Sequence, residues 1–167
     1  LYAIDRQKAS YEIFAPDIMQ KHVINHLTGD EMNEPRNVLV ESARIARGNI
    51  SPLEALDPAA FDGLLMPGGF GAAKNLSGWA FEGPEGTVLP VLEEKLRKAQ
   101  ELGKPIGAIC ISPVILAKIF GEVSLTIGSD PDTISGIERL GAKHVVTTHG
   151  EVVTDEKLKL VTTPCYM

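Results

Sequence analysis

Cys110 stands where a strand pattern runs straight into a helix start. The run Ile106-Gly107-Ala108-Ile109 is continuously apolar, and Pro113 suits the first turn of the helix that follows. A side chain at such a junction sits on a sharp turn beside the unpaired N–H groups of the new helix. Those donors and the helix dipole favour an anion, so the position suits a thiolate nucleophile. The competing reading is a small core residue, because free cysteines are among the most buried types.

A second cluster points the same way. Pro67-Gly68-Gly69-Phe70-Gly71-Ala72-Ala73-Lys74-Asn75 is glycine-rich and follows the apolar stretch Leu64-Leu65-Met66. Glycines there let backbone N–H groups come close to a substrate oxygen. Neither a phosphate loop ending in Gly-Lys-Ser/Thr nor a Gly-x-Gly-x-x-Gly dinucleotide pattern is present. A tight structural turn is the alternative. Among the histidines, His22 and His26 lie in a long polar loop, and His144 begins a strand pattern. His149-Gly150-Glu151 has the His-x-Glu spacing that completes a glutamine amidotransferase triad, but it sits in a turn-like segment where a solvated loop is the commoner explanation. Cys165, in Thr163-Pro164-Cys165-Tyr166, has no helix start after it and reads as structural or incidental.

The elements that must position these residues alternate. Strand patterns cover Tyr11–Ala15, Phe61–Met66, the stretch before Cys110, Ser124–Ile127 and Lys143–Val146. A hairpin spans Glu151–Val161 around Asp155-Glu156-Lys157. Helical periodicity covers a segment starting at Pro35 and ending at Gly48, then Val88–Ala99, the segment through Leu116, and Thr133–Leu140. Asp17–Glu34 reads as a long polar loop. Alternating strands and helices imply an α/β fold with a mostly parallel sheet covered on both faces and its ligand site at the carboxyl ends of the strands. The glycine loop and Cys110 both fall at such ends.

With 167 residues, 44% of them hydrophobic, the chain has enough length and apolar content for one domain with a real core. The ends look cut: Leu1 opens mid-helix without Met, and Met167 follows a strand and a turn. A net charge of −6 without any basic stripe speaks against nucleic-acid binding. No apolar run reaches the length of a membrane span. Two distant cysteines form neither a disulfide framework nor a metal cluster, so the expected compartment is reducing and cytoplasmic.

Several runs resemble one family. They include Phe14-Ala15-Pro16-Asp17, Val23-Ile24-Asn25-His26-Leu27-Thr28-Gly29, Arg36-Asn37-Val38-Leu39, Gly68-Gly69-Phe70-Gly71-Ala72-Ala73-Lys74-Asn75-Leu76, Gly103-Lys104-Pro105-Ile106-Gly107 and Val161-Thr162-Thr163-Pro164. The chain is similar over essentially its whole length to the ElbB family, the isoprenoid-biosynthesis-associated, glyoxalase-type members of the PfpI and class I glutamine amidotransferase-like superfamily. The resemblance implies a three-layer flavodoxin-like sandwich forming homodimers, with Cys110 as the elbow nucleophile. Gly68, Gly69, Phe70 and the Ile111 amide would form the oxyanion and substrate site, and His26 and Asn75 would contribute from loops.

Two departures matter. The amidotransferase elbow reads Gly-x-Cys-x-Gly, whereas Ala108-Ile109-Cys110-Ile111-Ser112 carries no such glycines, which argues against glutamine hydrolysis. The superfamily's acidic partner of the cysteine belongs to a first strand–loop unit, expected before Leu1. The leading expectation is a lyase of the glyoxalase III type, needing neither cofactor nor metal and converting a small aldehyde such as glyoxal. A redox-sensing or partner-binding protein built on Cys110 is the alternative.

Overall fold

The computed structural model describes residues 1–167. They fall into two compact units, Leu1–Leu56 and Asp57–Met167.

The first unit holds α1 (Tyr2–Arg6), β1 (Phe14–Ala15), α2 (Val38–Ile45) and β2 (Ser51–Pro52), with β1 and β2 paired in parallel. The strand expected over Tyr11–Ala15 contracts to two residues because β2 itself offers only two partners. The helix expected from Pro35 begins later. Asn37 is its N-cap, the side chain accepting the Val40 N–H at 3.0 Å, and that satisfied donor decides the start. The long loop after Asp17 is pinned by isolated bridges, Met19 to Asn37 and Ile24 to Glu31, and by Asn37 Nδ2 donating to Asp17 at 2.7 Å.

The second unit is built on a four-stranded sheet. Its strands are β3 (Leu64–Met66), β4 (Ile106–Ile109), β7 (Val153–Asp155) and β8 (Leu160–Thr163), in the order β3-β4-β8-β7. β3, β4 and β8 run parallel, while β7 pairs antiparallel with β8 as the expected hairpin. β5 (Ser124–Leu125) and β6 (Lys143–His144) form a separate parallel pair. The helices are α3 (Trp79–Glu82), α4 (Pro90–Glu101), α5 (Pro113–Phe120) and α6 (Pro131–Arg139).

Strand alternation decides what the sheet buries. Ile106, Ala108, Leu160 and Thr162 point to one face and are almost completely buried. They join Leu96 and Ala99 of α4 and Ile115, Leu116 and Ala117 of α5 in one core. Each large aliphatic side chain contributes about 1.5–3 kcal/mol by leaving water. α5 is apolar nearly all round, as a helix in mid-core must be. On the opposite face Leu65 and Val161, which flank Gly107 in register, remain 52% and 39% exposed. Gly107 is small because the Leu65 side chain lies across it, 2.6 Å from where a Cβ would stand.

A buried polar seam ties the strand systems together. The Thr162 hydroxyl accepts the Thr126 N–H at 3.0 Å, and the Thr126 and Thr147 hydroxyls meet at 2.6 Å. Asp155 accepts the N–H groups of Ser124 at 2.8 Å and Leu158 at 3.0 Å, fastening β5 to the β7–β8 turn.

Candidate active site

β4 ends at Ile109, α5 begins at Pro113, and Cys110 occupies the turn between them with φ +61°. That left-handed conformation is costly for a residue with a Cβ, about 1–3 kcal/mol, and persists only where surrounding contacts over-determine it. The contacts are present. The Cys110 N–H donates to the Thr163 carbonyl at 2.9 Å, extending the β4–β8 ladder by one residue. The Ser112 N–H then closes on the Ile109 carbonyl at 3.1 Å, turning the chain into α5. The thiol is half-buried.

The other side of the turn is the glycine loop after β3. A Cβ on Gly68 would stand 2.4 Å from Cys110 Cβ, 2.7 Å from the Ile109 carbonyl oxygen and 3.2 Å from Cys110 Sγ. Only glycine permits this approach. Gly69 follows with φ +99°, which turns the chain into a helical segment whose π-helical part is Ala72–Leu76. π-turns are rare and concentrate at functional sites. Gly68 and Cys110 are therefore packed together, and Ile111, half-buried, is the next residue in the elbow. Phe70 is 79% exposed at the rim, where the Lys74 ammonium lies 5.3 Å from its ring centroid. Asn75 is half-buried within the π-turn, with its amide nitrogen 4.0 Å from the position of a Cβ on Gly71.

His26 belongs to the Leu1–Leu56 unit, exposed in a turn closed by the Gly29 N–H on the Asn25 carbonyl at 2.7 Å. His149 and Glu151 do not act as a pair. His149 Nδ1 donates to the Cys165 carbonyl at 2.9 Å, and its ring stacks on Tyr166 at 4.8 Å. The Glu151 carboxylate instead accepts the backbone N–H and hydroxyl of Thr148, which hold its pKa below the usual range. His144 is structural: its Nε2 accepts the Ile127 N–H at 3.2 Å. Burial lowers its pKa against the opposing charge of Glu138.

Ser112 is the residue that sequence reading passed over. Its hydroxyl, fully buried, donates to the Pro67 carbonyl at 2.7 Å and fastens the elbow to the glycine loop. The available signal was a single polar side chain directly ahead of the apolar run Pro113–Ala117.

No family model matches the chain. It is 45% identical over 177 residues to the human protein named glutamine amidotransferase-like class 1 domain-containing protein 3, mitochondrial, with all of this chain aligned to 66% of that protein. The chain thus spans just under two thirds of that relative's length. A solved structure, the isoprenoid biosynthesis protein with amidotransferase-like domain from Ehrlichia chaffeensis, superposes with a TM-score of 0.88. It is 36% identical over 98% of this chain and 75% of that one. Drosophila melanogaster DJ-1beta shares the fold at a TM-score of 0.56 and 21% identity, over 97% of this chain and 70% of that one.

The flavodoxin-like α/β fold with a mostly parallel sheet is therefore established. The cytoplasmic expectation is overturned, because the human relative and the ES1 proteins of rat and zebrafish are all named as mitochondrial. Unpaired cysteines report a redox environment, whereas an organellar address is written in a transit peptide and leaves no mark on a folded core. The elbow, the glycine loop and these homologues together show that the chain belongs to the class 1 glutamine amidotransferase-like superfamily.

Proposed function

We propose that this protein is a glyoxalase-type enzyme of the ElbB kind, acting on a small 2-oxoaldehyde such as glyoxal. The observation that carries the reading is the strained Cys110 turn, φ +61°, pressed directly against Gly68. The Cys110 thiolate attacks one aldehyde carbon to give a hemithioacetal, whose oxygen faces the amides of Gly69 and Ile111. A base removes the proton from that carbon and the neighbouring carbon is protonated, leaving a thioester of glycolic acid. Water hydrolyses the thioester, releasing glycolate and regenerating the thiol. We assign the proton shuttle to an acidic side chain of the kind that the superfamily pairs with its elbow cysteine. The link to isoprenoid metabolism draws on the ElbB resemblance and on the name of the Ehrlichia protein.

Glutamine hydrolysis fits less well. Its His-x-Glu pair would need Glu151 to orient His149, and Thr148 holds Glu151 instead. The test is turnover of glyoxal by the full-length protein, followed as glycolate. Many turnovers per protein, lost at least about 1000-fold in Cys110→Ala, support the reading. Full conversion by Cys110→Ala overturns it. Stoichiometric oxidation of Cys110 without turnover would favour a redox sensor.

A further inference from the structure

We propose that Cys165 is a resolving cysteine for Cys110, so that oxidation of the nucleophile closes a Cys110–Cys165 disulfide and shuts the site. Only the reactivity of Cys110 is shared with the functional reading above; turnover is not required.

Position comes first. β4 and β8 are parallel neighbours with Ile109 opposite Thr163. The Cys110 N–H bonds the Thr163 carbonyl at 2.9 Å, which sets Cys110 beside the Thr163–Pro164 peptide. Registered Cα atoms of neighbouring strands lie about 5 Å apart. Cys165 is one residue further, a step of about 3.8 Å, so its Cα lies within about 9 Å of that of Cys110. A disulfide needs Cα atoms about 4.4–6.8 Å apart, inside that reach. The two cysteines thus sit at the carboxyl ends of adjacent strands, each at a turn with positive φ (+61° and +58°), and each half-buried.

The segment that carries Cys165 is held at this place. His149 Nδ1 bonds the Cys165 carbonyl at 2.9 Å, the His149 ring stacks on Tyr166, and the Met167 N–H returns to the Pro164 carbonyl at 3.2 Å. None of these contacts uses the Cys165 sulfur. In the reduced protein Cys110 Sγ leans towards Gly68, on the β3 side of β4. A disulfide with Cys165 requires the sulfur to turn away from the glycine loop. The same movement removes the nucleophile from its donors.

The chemistry balances with a peroxide as oxidant. The Cys110 thiolate attacks one oxygen of hydrogen peroxide, breaking the O–O bond to give the sulfenic acid and hydroxide, which takes a proton to become water. The Cys165 thiolate attacks the sulfenic sulfur, forms the S–S bond and expels a second hydroxide, which takes the other thiol proton. Two thiols and one peroxide become one disulfide and two waters. Reduction by a dithiol reverses it.

The experiment treats the reduced full-length protein with stoichiometric hydrogen peroxide and maps its peptides without reduction. The expected result is an intramolecular peptide pair joined through Cys110 and Cys165, with accessible Cys110 thiol falling at least about tenfold and returning after dithiothreitol. In Cys165→Ser the pair is absent, and Cys110 accumulates as dimedone-reactive sulfenic acid and proceeds to sulfinic acid. Sulfenic acid on Cys110 with Cys165 still free in the unaltered protein overturns the proposal, as does a Cys110 left unmodified. A linked pair in a protein that never turns over glyoxal would sink the enzyme reading and leave this one standing. Turnover without the linked pair would do the opposite.

Discussion

The Ser112 hydroxyl donates to the Pro67 carbonyl at 2.7 Å, joining the first residue before α5 to the end of the β3 strand, 45 positions earlier in the chain. Both halves of the candidate site hang from this bond. It ties the elbow to the glycine loop. Ser112→Ala leaves a carbonyl without this donor in a buried setting and should cost about 1–3 kcal/mol in urea unfolding. Alkylation of Cys110 by iodoacetamide should change in the same variant and return in Ser112→Thr. An unchanged alkylation rate in Ser112→Ala would show that the bond does not position the site.

Gly68→Ala tests the packing of loop on elbow. The added Cβ would lie 2.4 Å from Cys110 Cβ and 2.7 Å from a backbone oxygen, neither of which can yield without moving the turn. A loss of about 1–3 kcal/mol is expected from overpacking, with altered alkylation of Cys110 in the protein that still folds. Gly69→Ala acts differently: nothing lies within 4 Å of its Cβ position, and the penalty comes from φ +99° alone.

His144 predicts acid sensitivity near neutrality. Nε2 accepts the Ile127 N–H only when unprotonated, and burial lowers the folded pKa below the ordinary 6.5. The fold thus prefers the neutral ring. Its contribution is complete above about pH 6.5 and is lost as pH falls below that value towards the folded pKa. Urea midpoints at pH 7.5 and 5.5 should differ more in the unaltered protein than in His144→Gln. Equal differences would remove His144 as the cause.

Asp155 acts in the same direction, at lower pH. Burial alone would raise its pKa, but the N–H groups of Ser124, Leu158 and Lys157 and the Lys157 charge outweigh it and hold the value below 3.8. A carboxyl with a depressed folded pKa stabilises above its unfolded value and loses that contribution as pH falls through the folded one. Asp155→Asn should therefore cost about 1–3 kcal/mol at pH 7, a difference that narrows below pH 3.8. A variant as stable as the parent at pH 7 would show that the β5 link does not depend on the charge.

Capping gives a local check on α6. Asp130 accepts the Thr133 N–H at 2.9 Å as the N-cap, and its hydrogen bonds from Thr133 lower its pKa. Asp130→Ala should lower stability by about 1 kcal/mol, measured by thermal unfolding. Asp130→Ser should restore most of it.

The sequence by itself determined the alternation of elements, since apolar periodicity is a local property. It also placed Cys110 at a strand-to-helix turn, because an apolar strand pattern there runs into a proline-led helix. The glycines at 68 and 69 were legible as a place of close approach, although what approaches was not. Helix starts were less legible: Pro35 suits one, but the bond from the Val40 N–H to the Asn37 side chain puts the start at Val38. Only the tertiary structure decided the rest. Gly68 meets Cys110, Ser112 meets Pro67, and the Cys110 N–H meets the Thr163 carbonyl because β3, β4 and β8 are neighbours in one sheet. Strand order arises from crossover connections between segments distant in sequence, and no local pattern of residues encodes which edges meet. His149 and Glu151, two residues with the spacing of a catalytic pair, each take another partner: the Cys165 carbonyl for His149 and Thr148 for Glu151.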